Sequence, residues 1–225
     1  MIKEVKDSGP IYTETNMGRF PVEPFNTFSN LIFLFIIIYW YRRLATLQQG
    51  RFARFLKVSL PILSIGYVGG SIYHATRSHP VWLFMDFVPI AILALYVAWY
   101  FWGQVIKTFW PKFLILLALF IIPRLVIRNL GLNMATGISL GYLSLSIPIL
   151  FPVMWVEYKR GWKTWRWFLA VLSILVLAVN FRLADSSPWV IENFPVGTHW
   201  LWHITGGVMV QIFLLYIEKL EGSRG

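Results

Sequence analysis

Seven apolar runs follow one another along this chain, joined by short polar connections. Each is close to the length that an α-helix needs to cross a hydrocarbon core, about 20 residues for about 30 Å. They cover residues 25–42, 57–75, 81–102, 112–128, 136–156, 164–182 and 197–217. Barrel strands are shorter and alternate in polarity, and a backbone in lipid must satisfy its own hydrogen bonds, so these runs read as helices. The expected fold is an all-α membrane protein, a seven-transmembrane-helix bundle. Composition agrees, since 57% of the 225 residues are hydrophobic and only 13% are charged, far from the balance of a water-soluble domain.

No internal repeat or second domain interrupts the pattern. Residues 1–24 mix charges with prolines and read as an extramembrane N-terminal segment without a cleavable signal; residues 25–217 read as the helical bundle and 218–225 as a short tail. Pro61, Pro123, Pro148 and Pro152 fall inside the runs, where neighbouring helices can absorb a lost hydrogen bond. The fourth run is short and carries Pro123 and Arg124, so it is expected to end early or kink there.

The cations set the expected orientation. Arg42, Arg43, Arg51, Arg54 and Lys57 crowd the first connection, Lys107 and Lys112 the third, and Lys159, Arg160, Lys163 and Arg166 the fifth, with Lys219 and Arg224 after the last run. The other face carries Lys3, Lys6, Arg19, Arg77, Arg124, Arg128 and Arg182, diluted by Glu4, Asp7, Glu14, Glu23, Asp185 and Glu192. The positive-inside rule then places the N-terminus outside and the C-terminus in the cytoplasm. The net charge of +10 is accounted for by these flanking residues, so nucleic acid is not an expected partner. The chain has no cysteine, which excludes disulfides, thiolate metal sites and cysteine nucleophiles.

Against this background the stretch GGSIYHATRSHPVWLFMDFVPI, residues 69–90, places His74 and Asp86 in strongly apolar surroundings. His74 ends the second run, Asp86 begins the third, and His199 and His203 begin the seventh. Alternating helix directions bring all of these ends to one face, together with Glu23 and Asn26 at the start of the first helix. His199 and His203 are four apart, on one side of a helix. Three neutral imidazoles and a water form an established catalytic zinc arrangement. Asp86 is the carboxylate placed well inside a span, where a metal-bound water or a histidine would offset its cost. Ser71, one turn from His74, is a candidate donor to a developing oxyanion; beside Gly69 and Gly70 it also reads as a small-residue helix contact. His79 reads as solvated or as a supporting group, and Asn180 and Arg182 as structural or headgroup-facing.

The stretches EPFNTFSN (23–30), GGSIYHAT (69–76) with MDFVP (85–89), and HWLWH (199–203) resemble, in order and spacing, the signature regions of the alkaline ceramidase family. That family lies within a seven-helix membrane hydrolase superfamily that also holds the progestin and adipoQ receptors and GPI-remodelling lipid hydrolases. The resemblance implies a zinc-dependent hydrolase that cleaves an amide bond of ceramide or a related N-acyl lipid within the membrane, and the charge pattern puts that site near the exoplasmic face. His74, His199 and His203 would be the zinc ligands, Asp86 the acid/base and Ser71 the serine of the site. It also implies a calcium site, with Tyr12, Glu14 and Asn16 from YTETN and Glu23 as its ligands.

The chain departs from the family pattern in three places. Gly70 stands where the serine is usual, with Ser71 one residue nearer the histidine. Asp86 is followed by Phe87 where the family has an Asp-Glu pair, at a gap from His74 about one residue longer. Ile11 stands where the calcium segment has an acidic residue. Two other classes share the sequence features: a non-catalytic receptor-like protein with a structural zinc, and a proton or ion transporter using the His and Asp groups. The first would have no sizeable cytoplasmic domain to signal through. The second would need polar groups across the whole bilayer, and an odd helix count without a repeat suits it poorly.

Overall fold

The computed structural model describes residues 5–222, so Lys3, Glu4 and Arg224 of the charge pattern lie outside the described residues. Within it the chain forms helices and no strand: α1 (Pro24–Ser29), α2 (Leu31–Thr46), α3 (Arg51–Thr76), α4 (Pro80–Val105), α5 (Phe109–Asn129), α6 (Met134–Ser144), α7 (Ile147–Lys159), α8 (Trp165–Ala184), α9 (Pro188–Asn193) and α10 (His199–Gly222). Seven spans are long and apolar enough to cross a membrane, with α1 and α2 counted as one and α6 and α7 as another. This is the plan of a multi-pass integral membrane protein.

The apolar runs mark the right helices but not their ends. The first is interrupted at Asn30, and the fifth at Leu145 and Ser146, just before Pro148 enters the first turn of α7. Proline suits a first turn because its missing N–H has no intrahelical partner there. The expected early end at Pro123 does not occur, since α5 continues to Asn129. Residues 218–222, assigned to a tail, are instead the last turn of α10. Arg43 holds Glu218 at 2.7 Å, Tyr100 donates to Glu221 at 2.5 Å, and Leu220 is fully buried. Those tertiary contacts extend the helix beyond its apolar stretch.

Glycines decide how α3 meets α4. A side chain at Gly69 would collide with the backbone of Met85, and one at Gly66 would press on Pro89 Cβ at 3.3 Å. The two helices therefore run in near backbone contact, the small-residue packing familiar in lipid. α10 packs along α8, and α1 lies across α3 and α10. Trp40, Phe55, Leu56, Leu60, Phe101, Tyr216, Ile217 and Leu220 fill the core in the half of the bundle away from α1.

Residues 5–23 form no helix but fold across the end of the bundle. Val22 and Glu23 donate their backbone N–H to Ala75 and His74 carbonyls at 2.9 and 3.1 Å. Glu14 accepts from the N–H groups of Phe25 and Asn26 at 3.0 and 2.6 Å, capping α1, and Asp185 accepts from those of Thr198 and His199 at 2.7 and 3.0 Å, capping α10. Carboxylates satisfy both orphan donors and the helix dipole at such ends. Asp185 also accepts from Thr13 N at 3.1 Å, so the segment is fastened to α10 as well as to α1.

Candidate metal centre

The C-terminal end of α3 and the N-terminal end of α10 meet beneath this segment. His74, His199 and His203 are all buried, with ring centroids 4.7 to 5.4 Å apart. One ring nitrogen from each lies within 4.8 Å of the other two, and this is a group able to hold a metal ion. Nitrogens bound about 2.1 Å from one tetrahedral ion stand about 3.4 Å apart, so small ring rotations close the set.

The partners of two rings fix their tautomers. His74 Nδ1–H donates to Glu23 Oε2 at 2.5 Å, and its Nε2 is buried without a partner. His203 Nδ1 faces the Asn26 carbonyl at 3.1 Å and Ser29 Oγ at 2.8 Å, while Ser29 itself donates to that carbonyl. A carbonyl only accepts, so His203 also carries its proton on Nδ1 and offers Nε2. Metal-binding histidines are commonly oriented in this way, through the nitrogen that does not ligate. His199 is held differently. Its ring stacks on Tyr12 at 3.8 Å between centroids, and its Nδ1 stands 3.5 Å from Arg182 Nη1, at the outer edge of hydrogen bonding.

Asp86 approaches from α4, within electrostatic reach of His74, Arg182 and Glu23. Gly70 makes room for it, because a Cβ there would collide with Asp86 Oδ1 and sit 3.5 Å from Asn30 Nδ2. A serine at position 70 would require the Asp86 carboxylate to move. Ser71 lies at the same end of α3, its hydroxyl buried without a hydrogen-bond partner, and so without a hydrogen bond to Asp86 or to the histidines. The close packing expected around Ser71 is carried by Gly69 and Gly70.

Of the two readings of Arg182, structural or headgroup-facing, the second is excluded. It does not face headgroups but is 8% exposed, with its guanidinium 5.1 Å from the Tyr142 ring, 5.6 Å from Trp202 and 5.9 Å from Tyr12, and its Nε unpartnered. The signal was present, since an ionisable residue inside a span is by default a candidate for function. Asn180 does face outwards, donating to Val176 O at 2.8 Å, and His79 is exposed and caps α4 by accepting from Val81 N at 3.1 Å.

The side-chain oxygens of Glu14, Asn16 and Glu23, expected to hold calcium, have hydrogen-bond partners within the chain. Both Glu14 oxygens are taken by the α1 N-terminus, while Asn16 is exposed and accepts from Gly18 N at 2.8 Å. Tyr12 lies on His199; burial pushes its phenol up to about 12, which keeps it a neutral donor. Glu23 Oε1 receives Arg77 Nη1 at 2.5 Å and Thr15 Oγ1 at 2.6 Å. Burial works against ionisation of Glu23, but the hydrogen bond from His74, with the charge of Arg77 and the hydrogen bond from Thr15, outweighs it and holds the carboxyl at about 2. For Glu14 burial prevails over the two backbone donors and its carboxyl is pushed up from the ordinary range.

Neither a protein-family model nor a curated protein matches this chain.

Proposed function

We propose that this protein is a zinc-dependent intramembrane lipid hydrolase that cleaves the amide bond of ceramide or a related N-acyl lipid. The observation that carries the reading is the buried trio of His74, His199 and His203, two of whose Nε2 atoms are freed by fixed Nδ1–H bonds, with Asp86 within electrostatic reach of His74. Three imidazoles suit zinc, which when bound lowers the pKa of a water and polarises a carbonyl.

The chain's own residues supply the rest. Asp86 takes a proton from the attacking water and returns it to the nitrogen as the carbon–nitrogen bond breaks, giving a carboxylic acid and an amine, between which the remaining proton then passes. Arg182 Nε and Ser71 Oγ, buried and without partners, supply donors for the developing oxyanion. Glu23, Ser29 and the Asn26 carbonyl hold the imidazoles. The apolar helices admit the acyl chain from the bilayer. The positive-inside rule favours an exoplasmic site, and more strongly because Arg77 and Arg182 are buried rather than part of the outer loops. The test is release of fatty acid from a labelled N-acyl lipid by purified protein in detergent. Wild type is expected to release it and Asp86→Asn to release it at least about 100-fold more slowly while keeping its metal; equal release by the two would refute the reading.

A further inference from the structure

Arg77 ends α3 in the left-handed region, at φ 46° and ψ 35°, where glycine is at ease and a side chain is strained. An arginine stands there all the same, fully buried. Its Nε and Nη2 donate to the two oxygens of Asp7 at 2.6 and 2.8 Å, Nη1 donates to Glu23 Oε1 at 2.5 Å, and Nη2 also donates to the Pro10 carbonyl at 3.0 Å. One face of the guanidinium covers the Tyr73 ring at 4.6 Å. The acceptors around it are all oxygens, two of them from Asp7, one from Glu23 and one from a carbonyl, with the Thr15 hydroxyl on the same Glu23 oxygen. This is the donor set of a hard divalent cation, filled by a cation that belongs to the chain.

We propose that Arg77 replaces a divalent cation at this acidic pocket and thereby positions a metal ligand. The guanidinium neutralises Asp7 and Glu23 together and fixes the Glu23 carboxylate. Glu23 Oε2 is then set to receive Nδ1–H of His74, which aims the unpartnered Nε2 at the metal position. Arg77 touches neither metal nor substrate and acts through Glu23 and His74. Because Asp7 belongs to the N-terminal segment, the same ion pairs clamp that segment to α3. The consequence is a metal centre that needs no calcium. The inference rests on the three-histidine metal reading and is independent of hydrolysis.

The experiment compares wild type, Arg77→Gly and Arg77→Lys for zinc affinity, by competition with a colorimetric chelator, and for unfolding temperature, each with and without about millimolar calcium. Wild type is expected to be indifferent to calcium in both readouts. Arg77→Gly relieves the backbone strain but removes the cation. It should bind zinc about 10–100-fold more weakly, and calcium, entering the vacated oxygens, should restore part of that affinity and raise the unfolding temperature. Arg77→Lys keeps the charge without the fork and should fall between the two.

If residue 77 only terminated a helix, glycine would be the better residue and zinc affinity would not change. That result overturns the proposal, as does a loss that calcium leaves unrelieved. Calcium-tightened zinc binding in wild type overturns it too. Should Arg77→Gly not fold, the lysine variant and the wild-type calcium titration decide. Wild type that binds no zinc would refute the metal reading instead, and the calcium-dependent unfolding of Arg77→Gly would still test the pocket.

Discussion

Buried polar clusters occupy both ends of this bundle, and they are finished to different degrees. Away from α1, Glu157 is fully buried in α7, where it accepts from the Thr164 hydroxyl, from Thr164 N at 3.2 Å and from Tyr216 Oη at 2.8 Å. That network joins α7, the following turn and α10. At the other end Asn26 Oδ1, Ser71 Oγ, Tyr73 Oη, His74 Nε2 and Arg182 Nε are all buried without partners. Buried polar atoms are nearly always paired, so a completed network marks a fastening and a crowd of incomplete ones marks a place where something binds. Ser59 Oγ, in the inner half of α3, is also unpartnered, which shows that one such atom means little by itself.

Substitutions at the two ends should therefore separate function from stability. The largest effect is expected for Asp86→Asn: turnover of an N-acyl lipid should fall about 10²–10⁴-fold, with zinc content and unfolding temperature close to wild type. Glu157→Ala should do the reverse. Leaving Tyr216 and Thr164 without their acceptor should cost about 3 kcal/mol, read from denaturant unfolding in detergent, with zinc stoichiometry unchanged; loss of zinc in this variant would break the division between the two ends. Gly70→Ser forces a side chain into Asp86 and should cost about 1–3 kcal/mol along with activity, which sharpens the assignment of Gly70 as the place where α3 makes room for the aspartate. The smallest stability effect belongs to Ser71→Ala, within about 0.5 kcal/mol, because its hydroxyl has no bond to lose; turnover should still fall about tenfold or more if that hydroxyl meets the oxyanion. Unchanged turnover would leave Ser71 as a packing residue.

The parts of this arrangement that follow from periodicity and helix direction were legible in the sequence. Seven apolar runs fix the spans, and alternation alone brings His74, Asp86 and the His199–His203 pair to one end. What escaped depends on long-range partners or on which way a side chain faces. The N-terminal segment looks like an ordinary polar tail until Asp7 meets Arg77 and Thr13 meets Asp185, contacts about 70 and 170 positions apart in the chain. An arginine near a helix end can snorkel outwards or turn inwards, and nothing local tells which; Arg182 turns inwards among aromatic rings. Glu157 was missed for a simpler reason, since the expected span stopped one residue short of it. Ser71 and Gly70 show the converse: the motif draws attention to the serine, whereas the structure gives the contact with Asp86 to the glycine.

The most direct test of the metal centre is elemental mass spectrometry of detergent-purified protein, wild type beside the double variant His199→Ala with His203→Ala. The account predicts about one zinc per chain in the wild type, as a three-imidazole site requires, and none in the double variant at comparable folding. A folded wild type purified without chelators and carrying no stoichiometric zinc would contradict it.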